Sequence, residues 1–195
     1  MSRPLRKAVF LDRDGVLNED THLITEPEQF RLLAGVPEAL RKLKEAGFLL
    51  VVISNQPVVA RGLIDLGGVA RLNQTLNAMI QQSGGAALDG FYFCPHHPNA
   101  DMEAFRVDCD CRKPKPGLIE QARRDWEIDP ASSFMVGDRI TDVAAGKNAG
   151  CATIQVTTGR ESDAPIQGAT EADLAVEPDH VCEGLEPASE WILSR

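Results

Sequence analysis

Ala8-Val9-Phe10-Leu11-Asp12-Arg13-Asp14-Gly15 is the stretch that decides the fold. Four apolar residues run without interruption into two carboxylates one residue apart, closed by a glycine. An apolar run with no polar alternation reads as a strand covered on both faces, as in a parallel sheet. Its polar end then marks the carboxyl edge, where open α/β sheets hold their ligands.

The pattern continues outward. Residues 36–46 place Ala39, Leu40, Leu43 and Ala46 at helical spacing and stop at Gly47. Residues 48–53 form a second apolar run, ending in Ser54-Asn55-Gln56. A helix over 69–80, closed by Gly84-Gly85, a strand over 91–93 and a helix over 118–126 follow. Next comes a strand over 134–136, which ends in Gly137-Asp138. A helix over 141–148 and a strand over 152–156 complete the alternation. The acidic, weakly patterned tail after Gly159 offers a last strand over 173–176 and a C-terminal helix. Strands alternating with helices predict an α/β fold, a Rossmann-like parallel sheet with helices on both faces, in one domain spanning 1–195. The stretch 95–116, rich in Pro, Cys, His and charge, breaks the alternation and reads as a loop inserted before a helix.

Composition narrows the class. The chain has 195 residues, 43% hydrophobic and 25% charged, enough to bury a full core without disulfides. Twenty Lys+Arg against 29 Asp+Glu leave a net charge of −9, which argues against nonspecific binding to nucleic acid or an anionic membrane. The longest apolar run, 48–53, is far short of the ~20 residues that cross a bilayer. No apolar segment follows the basic N-terminus, so no signal peptide is read and a cytoplasmic, monomeric protein is expected.

The chemistry gathers at the strand ends. Asp12 and Asp14 in one turn suit a divalent cation with hard oxygen ligands, although Asp-x-Asp-Gly alone equally reads as a solvated turn. A carboxylate so screened can attack phosphorus while its neighbour moves protons. Ser54 puts a hydroxyl at the second strand end, and Arg112-Lys113-Pro114-Lys115 brings cations ahead of a helix; spacing alone does not choose between Lys113 and Lys115. Gly137-Asp138-Arg139-Ile140-Thr141-Asp142 adds acidic ligands. Separately, Cys94-Pro95-His96-His97 and Cys109-Asp110-Cys111 place four soft or borderline ligands in one loop, about 94–111, a set that fits closed tetrahedral zinc. Either His96 or His97 can supply the imidazole. Cys151 and Cys182 read as buried thiols. Zinc here would stiffen the loop that ends at Arg112-Lys113.

In this order along residues 7–156 the motifs resemble those of the haloacid-dehalogenase superfamily of phosphotransferases. The resemblance implies a minimal cap and makes Asp12 the nucleophile and Asp14 the general acid and base. It matches Ser54 and Lys113 to the groups that stabilise the phosphoryl. Asp138 then holds Mg²⁺ with the Asp12 side chain and the Asp14 backbone carbonyl, and Asp142 stands behind them. Asp-Arg-Asp-Gly-Val-Leu-Asn, Ser-Asn-Gln, Cys-Pro-His-His-Pro and Cys-Asp-Cys-Arg-Lys-Pro look like the D,D-heptose 1,7-bisphosphate phosphatase family, relatives of the histidinol-phosphatases. That resemblance favours His96 as the zinc ligand. It implies a sugar bisphosphate substrate, loss of the 7-phosphate in heptose precursor synthesis for lipopolysaccharide or related glycans, and substrate contacts from Asn18, Asp20, Asn55, Gln56, Arg61, Arg112 and Arg139. Arg112 is the expected clamp for the retained phosphate. One departure stands out: where the family shows Gly-Tyr-Val after its Asp, this chain continues Asp20-Thr21-His22-Leu23-Ile24. The alternatives are a histidinol-phosphate phosphatase and, from another class, a non-catalytic binding module stiffened by zinc.

Overall fold

The computed structural model describes residues 5–159 and 169–195. Among them β1 (Ala8–Leu11), β2 (Leu49–Asn55), β3 (Gly90–Cys94), β4 (Phe134–Gly137), β5 (Ala152–Val156) and β6 (His180–Cys182) form one sheet. The strand order is β3-β2-β1-β4-β5-β6 and every neighbouring pair is parallel. The helices are α1 (Val36–Glu45), α2 (Leu66–Gln82), α3 (Gly117–Trp126), α4 (Ile140–Ala149), α5 (Glu171–Leu174) and α6 (Leu185–Leu193).

β1 shows why its apolar run is unbroken. Val9 and Leu11 enter one core with residues of α1, α2 and α6, while Ala8 and Phe10 enter the other with residues of α3 and α4. Side chains alternate across a strand, so a strand covered on both faces must be apolar at every position. The chain moves from β1 outward through β2 and β3, then crosses back to lay β4 on the other flank of β1. The reversal leaves a crevice between the carboxyl ends of β1 and β4. Asp12 and Asp138 are the first residues past those two ends.

Two readings of the tail differ from the fold. The strand expected over 173–176 is helical: Thr170 caps α5, its hydroxyl accepting from Asp173 N while the Asp173 carboxylate accepts from Thr170 N. This reciprocal capping starts a helical turn, which outweighs the short apolar pattern. The strand beside β5 is instead β6, and the expected C-terminal helix is α6. Residues 160–168 of the tail lie outside the described residues. Among the described residues no helix is long and apolar enough to cross a membrane.

Candidate active site

Lys113 organises the crevice. Its ammonium group, buried with the side chain 3% exposed, lies 2.8 Å from Asp12 Oδ1 and 2.6 Å from Asp142 Oδ1, and donates to Ile53 O at 2.9 Å. Asn55 fixes the backbone of the lysine, accepting from Lys113 N and donating to Lys113 O, each at 3.1 Å. Lys115 is instead held by exposed Asp108 at 2.7 Å. Burial alone would lower the Lys113 ammonium, but the Asp12 and Asp142 carboxylates outweigh it and push it up, so the lysine stays charged.

The carboxylates face the opposite problem. Burial pushes Asp12 up to about 6, against the pull of Lys113 and with the repulsion of Asp142 and Asp14. Burial and the charges of Asp12 and Asp142 push Asp138 up to about 8. Asp12, Asp138 and Asp142 each offer an oxygen within 4.8 Å of the others. Neither buried Asp138 oxygen has a hydrogen-bond donor among the described residues, and its closest ion-pair contact is Arg139 Nε at 3.7 Å. A buried carboxylate without donors is costly unless a cation meets it. Gly15, at φ +85°, leaves the room this carboxyl needs: a Cβ there would lie 2.7 Å from Asp138 Oδ2, and one on Gly159 would collide with it. The donor set of hard oxygens fits Mg²⁺.

Asp14 is held differently. Its carboxylate accepts from Arg13 Nε and NH2, from Asn18 Nδ2 at 2.8 Å and from Gln56 Nε2 at 3.2 Å. Burial pushes this group up, but the Arg13 charge and these hydrogen bonds prevail and hold it below the ordinary carboxylate range. Ser54 is buried, its hydroxyl accepting from Gln56 Nε2 at 2.7 Å. Asn18 and Gln56 are therefore buried beside Asp14, whereas Asp20 and Arg139 pair at 2.9 Å toward the surface and Arg61 is exposed. His22 is exposed at φ +84°, its N–H donating to Asp20 Oδ1 at 2.9 Å. Sequence reasoning missed Arg13; a cation flanked by two acids at the end of a buried strand was the available signal, since Arg enters a core only when paired.

The four expected soft ligands meet where β3 ends. Cys94 Sγ lies 3.6 Å from Cys109 Sγ and 3.2 Å from Cys111 Sγ, which is 3.3 Å from Cys109 Sγ. His96 Nδ1 lies 3.3 Å from Cys111 Sγ and 3.7 Å from Cys94 Sγ. Tetrahedral zinc, with Zn–S near 2.3 Å, spaces its ligands by roughly 3.7 Å, so the set fits a closed site. His97 lies outside the cluster; its Nδ1 accepts from Asn99 N. The Cys111 thiol is pulled down to about 5, chiefly by its contact with Cys94. That same contact pushes Cys94 up and burial pushes Cys109 up, so only a cation would hold all three as thiolates. Arg112, directly after the cluster, donates to His96 O at 3.0 Å. With Lys113 it lines an open groove of about 770 Å³ walled by Pro98, Asn99 and Arg106.

The parallel sheet, the acidic crevice and its buried lysine define a haloacid-dehalogenase-type hydrolase. Residues 110–188 match a family model described as HAD-hydrolase-like. The chain is 41% identical over 172 residues to the D-glycero-beta-D-manno-heptose-1,7-bisphosphate 7-phosphatase of Haemophilus ducreyi, covering 88% of this chain and 93% of the relative. It is 45% identical over 157 residues to the enzyme of that name from Pasteurella multocida, covering 80% and 84%. The crystal structure of D,D-heptose 1,7-bisphosphate phosphatase from B. bronchiseptica, complexed with magnesium and phosphate, superposes with a TM-score of 0.79 at 33% identity, covering 96% of this chain and 98% of that one. The chain belongs to the D-glycero-beta-D-manno-heptose-1,7-bisphosphate 7-phosphatase family.

Proposed function

We propose that this protein is a Mg²⁺-dependent phosphatase that removes the 7-phosphate of D-glycero-D-manno-heptose 1,7-bisphosphate, with preference for the β anomer named in its relatives. The reading rests on one observation above all: Asp12, Asp138, Asp142 and the buried Lys113 converge at the carboxyl edge of the sheet. Asp12, freed of its proton, attacks phosphorus and forms an aspartyl-phosphate. Lys113 and Ser54 stabilise the transferring phosphoryl. Asp14 protonates the leaving oxygen and then takes a proton from the attacking water. Mg²⁺, held by Asp12, Asp138 and the Asp14 carbonyl, would offset the mutual repulsion of phosphate and carboxylate. Arg112 holds the retained 1-phosphate from the groove, Arg61, Asp20 and Arg139 meet the sugar at the rim, and Asn18, Asn55 and Gln56 brace the groups beneath. Zinc bound by Cys94, His96, Cys109 and Cys111 keeps Arg112 and Lys113 in place. The protein acts on a small molecule in the cytoplasm, as a monomer, supplying heptose 1-phosphate to glycan precursor synthesis.

Phosphate release from both heptose bisphosphate anomers and from histidinol phosphate, with and without Mg²⁺, tests this. The β anomer should give the highest kcat/KM, and release should stop without Mg²⁺. A higher kcat/KM for histidinol phosphate would overturn the substrate, and release indifferent to Mg²⁺ would overturn the mechanism.

A further inference from the structure

Arg13 stands between the two reactive carboxyls in sequence, yet its side chain is completely buried. Its guanidinium grips Asp14 with two parallel hydrogen bonds, Nε to Oδ1 at 3.1 Å and NH2 to Oδ2 at 2.8 Å. NH2 also donates to Gln56 Oε1 at 2.9 Å, and NH1 donates to Asn73 Oδ1, on α2, at 3.4 Å. The ring of Phe30 lies below, its centre 5.5 Å from the guanidinium carbon. Every nitrogen of this cation is thus engaged, two by Asp14 itself, with Gln56 and Asn73 anchoring the group from two other segments.

Stability alone does not account for such a residue. A buried ion pair commonly contributes no more than well-packed apolar side chains of the same volume. What the guanidinium supplies that an apolar residue cannot is a rigid planar fork matched to a carboxylate. We propose that Arg13 is a positioning residue for the proton transfers of Asp14, holding that carboxylate in register with the leaving oxygen through both half-reactions. The proposal rests on the phosphatase reading above.

In the first half-reaction an Asp12 oxygen bonds to phosphorus as the bond to the leaving oxygen breaks. That oxygen keeps the electron pair and takes the proton that Asp14 acquires from solvent as the negative phosphate binds beside it. In the second, water attacks phosphorus and gives a proton to Asp14, the Asp12 oxygen–phosphorus bond breaks, and phosphate leaves with the Asp12 carboxylate restored. A carboxylate offers about four lone-pair positions, and here four donors occupy them. The contact from Gln56 is the longest, 3.2 Å, so Oδ2 is the oxygen that opens to the substrate while Arg13 keeps the group in place.

Single-turnover kinetics of Arg13→Lys, which keeps the charge and loses the fork, test the proposal on two esters. Heptose 1,7-bisphosphate has an alkoxide leaving group that needs a proton; p-nitrophenyl phosphate does not. Aspartyl-phosphate formation should fall at least about tenfold with the sugar ester and stay within about threefold of wild type with the aryl ester, since general acid catalysis is worth roughly 10²–10⁴-fold. Hydrolysis of the aspartyl-phosphate should slow with both, so that with p-nitrophenyl phosphate in excess over enzyme a burst of nitrophenolate precedes the steady state. Asn73→Ala, which removes an anchor of Arg13 away from the reacting groups, should show the same ester selectivity at about threefold or more, and decides the matter if Arg13→Lys does not fold. Equal losses on the two esters, or none on the sugar ester, would overturn the role of Arg13. A wild-type protein that turns over neither ester would overturn the phosphatase reading itself.

Discussion

Lys113 is charged because two carboxylates surround it, and Asp12 loses its proton less readily than an exposed carboxyl because it is buried; each residue's state is set by its neighbours. Asp12→Asn retains the size of the side chain but removes the nucleophilic oxygen and its charge. Phosphate release should drop at least about a thousandfold while the circular dichroism spectrum stays native. Arg112→Ala should act selectively. The loss of a charge-assisted contact worth about 1.5–3 kcal/mol lowers kcat/KM for a bisphosphate roughly ten- to a hundredfold, with little effect on a monophosphate. The ratio of the two specificity constants is the measurement, and an unchanged ratio would remove Arg112 from the second phosphate. Asp12, Asp14, Ser54 and Asp138 were legible in sequence because each directly ends a strand or lies just past its end. Arg13 was not, since a charged residue in an acidic turn looks solvated until its burial is seen.

At the scale of elements, the segment from Cys94 to Lys113 joins two functions. Cys94 closes β3, Cys109 and Cys111 fold back to meet it, and the next two residues are the cations of the site. Cys109→Ser should therefore lower bound zinc, read by elemental analysis, and reduce kcat/KM by loosening Arg112 and Lys113 rather than by touching the reacting atoms. Full zinc content in the variant would exclude Cys109 as a ligand. The ligand spacing carried this cluster in sequence, whereas the tail misled: Asp173 and its apolar neighbours read as a strand, but the side chain of Asp173 closes the capping pair with Thr170. Short segments hold too little apolar surface for their pattern to overrule one capping interaction.

The whole molecule gathers three carboxylates in one crevice, and that has a price in stability which depends on pH. Asp138 has its pKa raised from 3.8 to about 8 on folding. Between those values the folded state holds a proton that the unfolded state has lost, so its contribution to stability is full below pH 3.8 and fades as pH rises toward 8. Groups held low, such as Asp14 and Asp179, have their windows below the ordinary carboxylate range and do not mask this one. In Mg²⁺-free buffer Asp138→Asn should thus be more stable than wild type at pH 8 and no more stable at pH 4, measured by urea unfolding. Adding Mg²⁺ should stabilise wild type and not the variant. Equal midpoints at pH 8 would mean that Asp138 is not held under this strain.

The sequence by itself determined the order of strands and helices as far as β5, the strand ends on which chemistry stands and the four soft ligands of the loop. All of these are local: unbroken apolar runs, the residue that ends them, and spacing within one segment. Tertiary structure decided which of two lysines enters the crevice, which histidine meets the three thiols and where the last strand lies. It also decided that Arg13 lies beneath Asp14 and that Asp142 reaches Lys113 directly. These depend on segments far apart in the chain, such as Arg13 with Asn73 and Asp12 with Lys113. The burial that sets their charge exists only once the two cores have closed over the sheet.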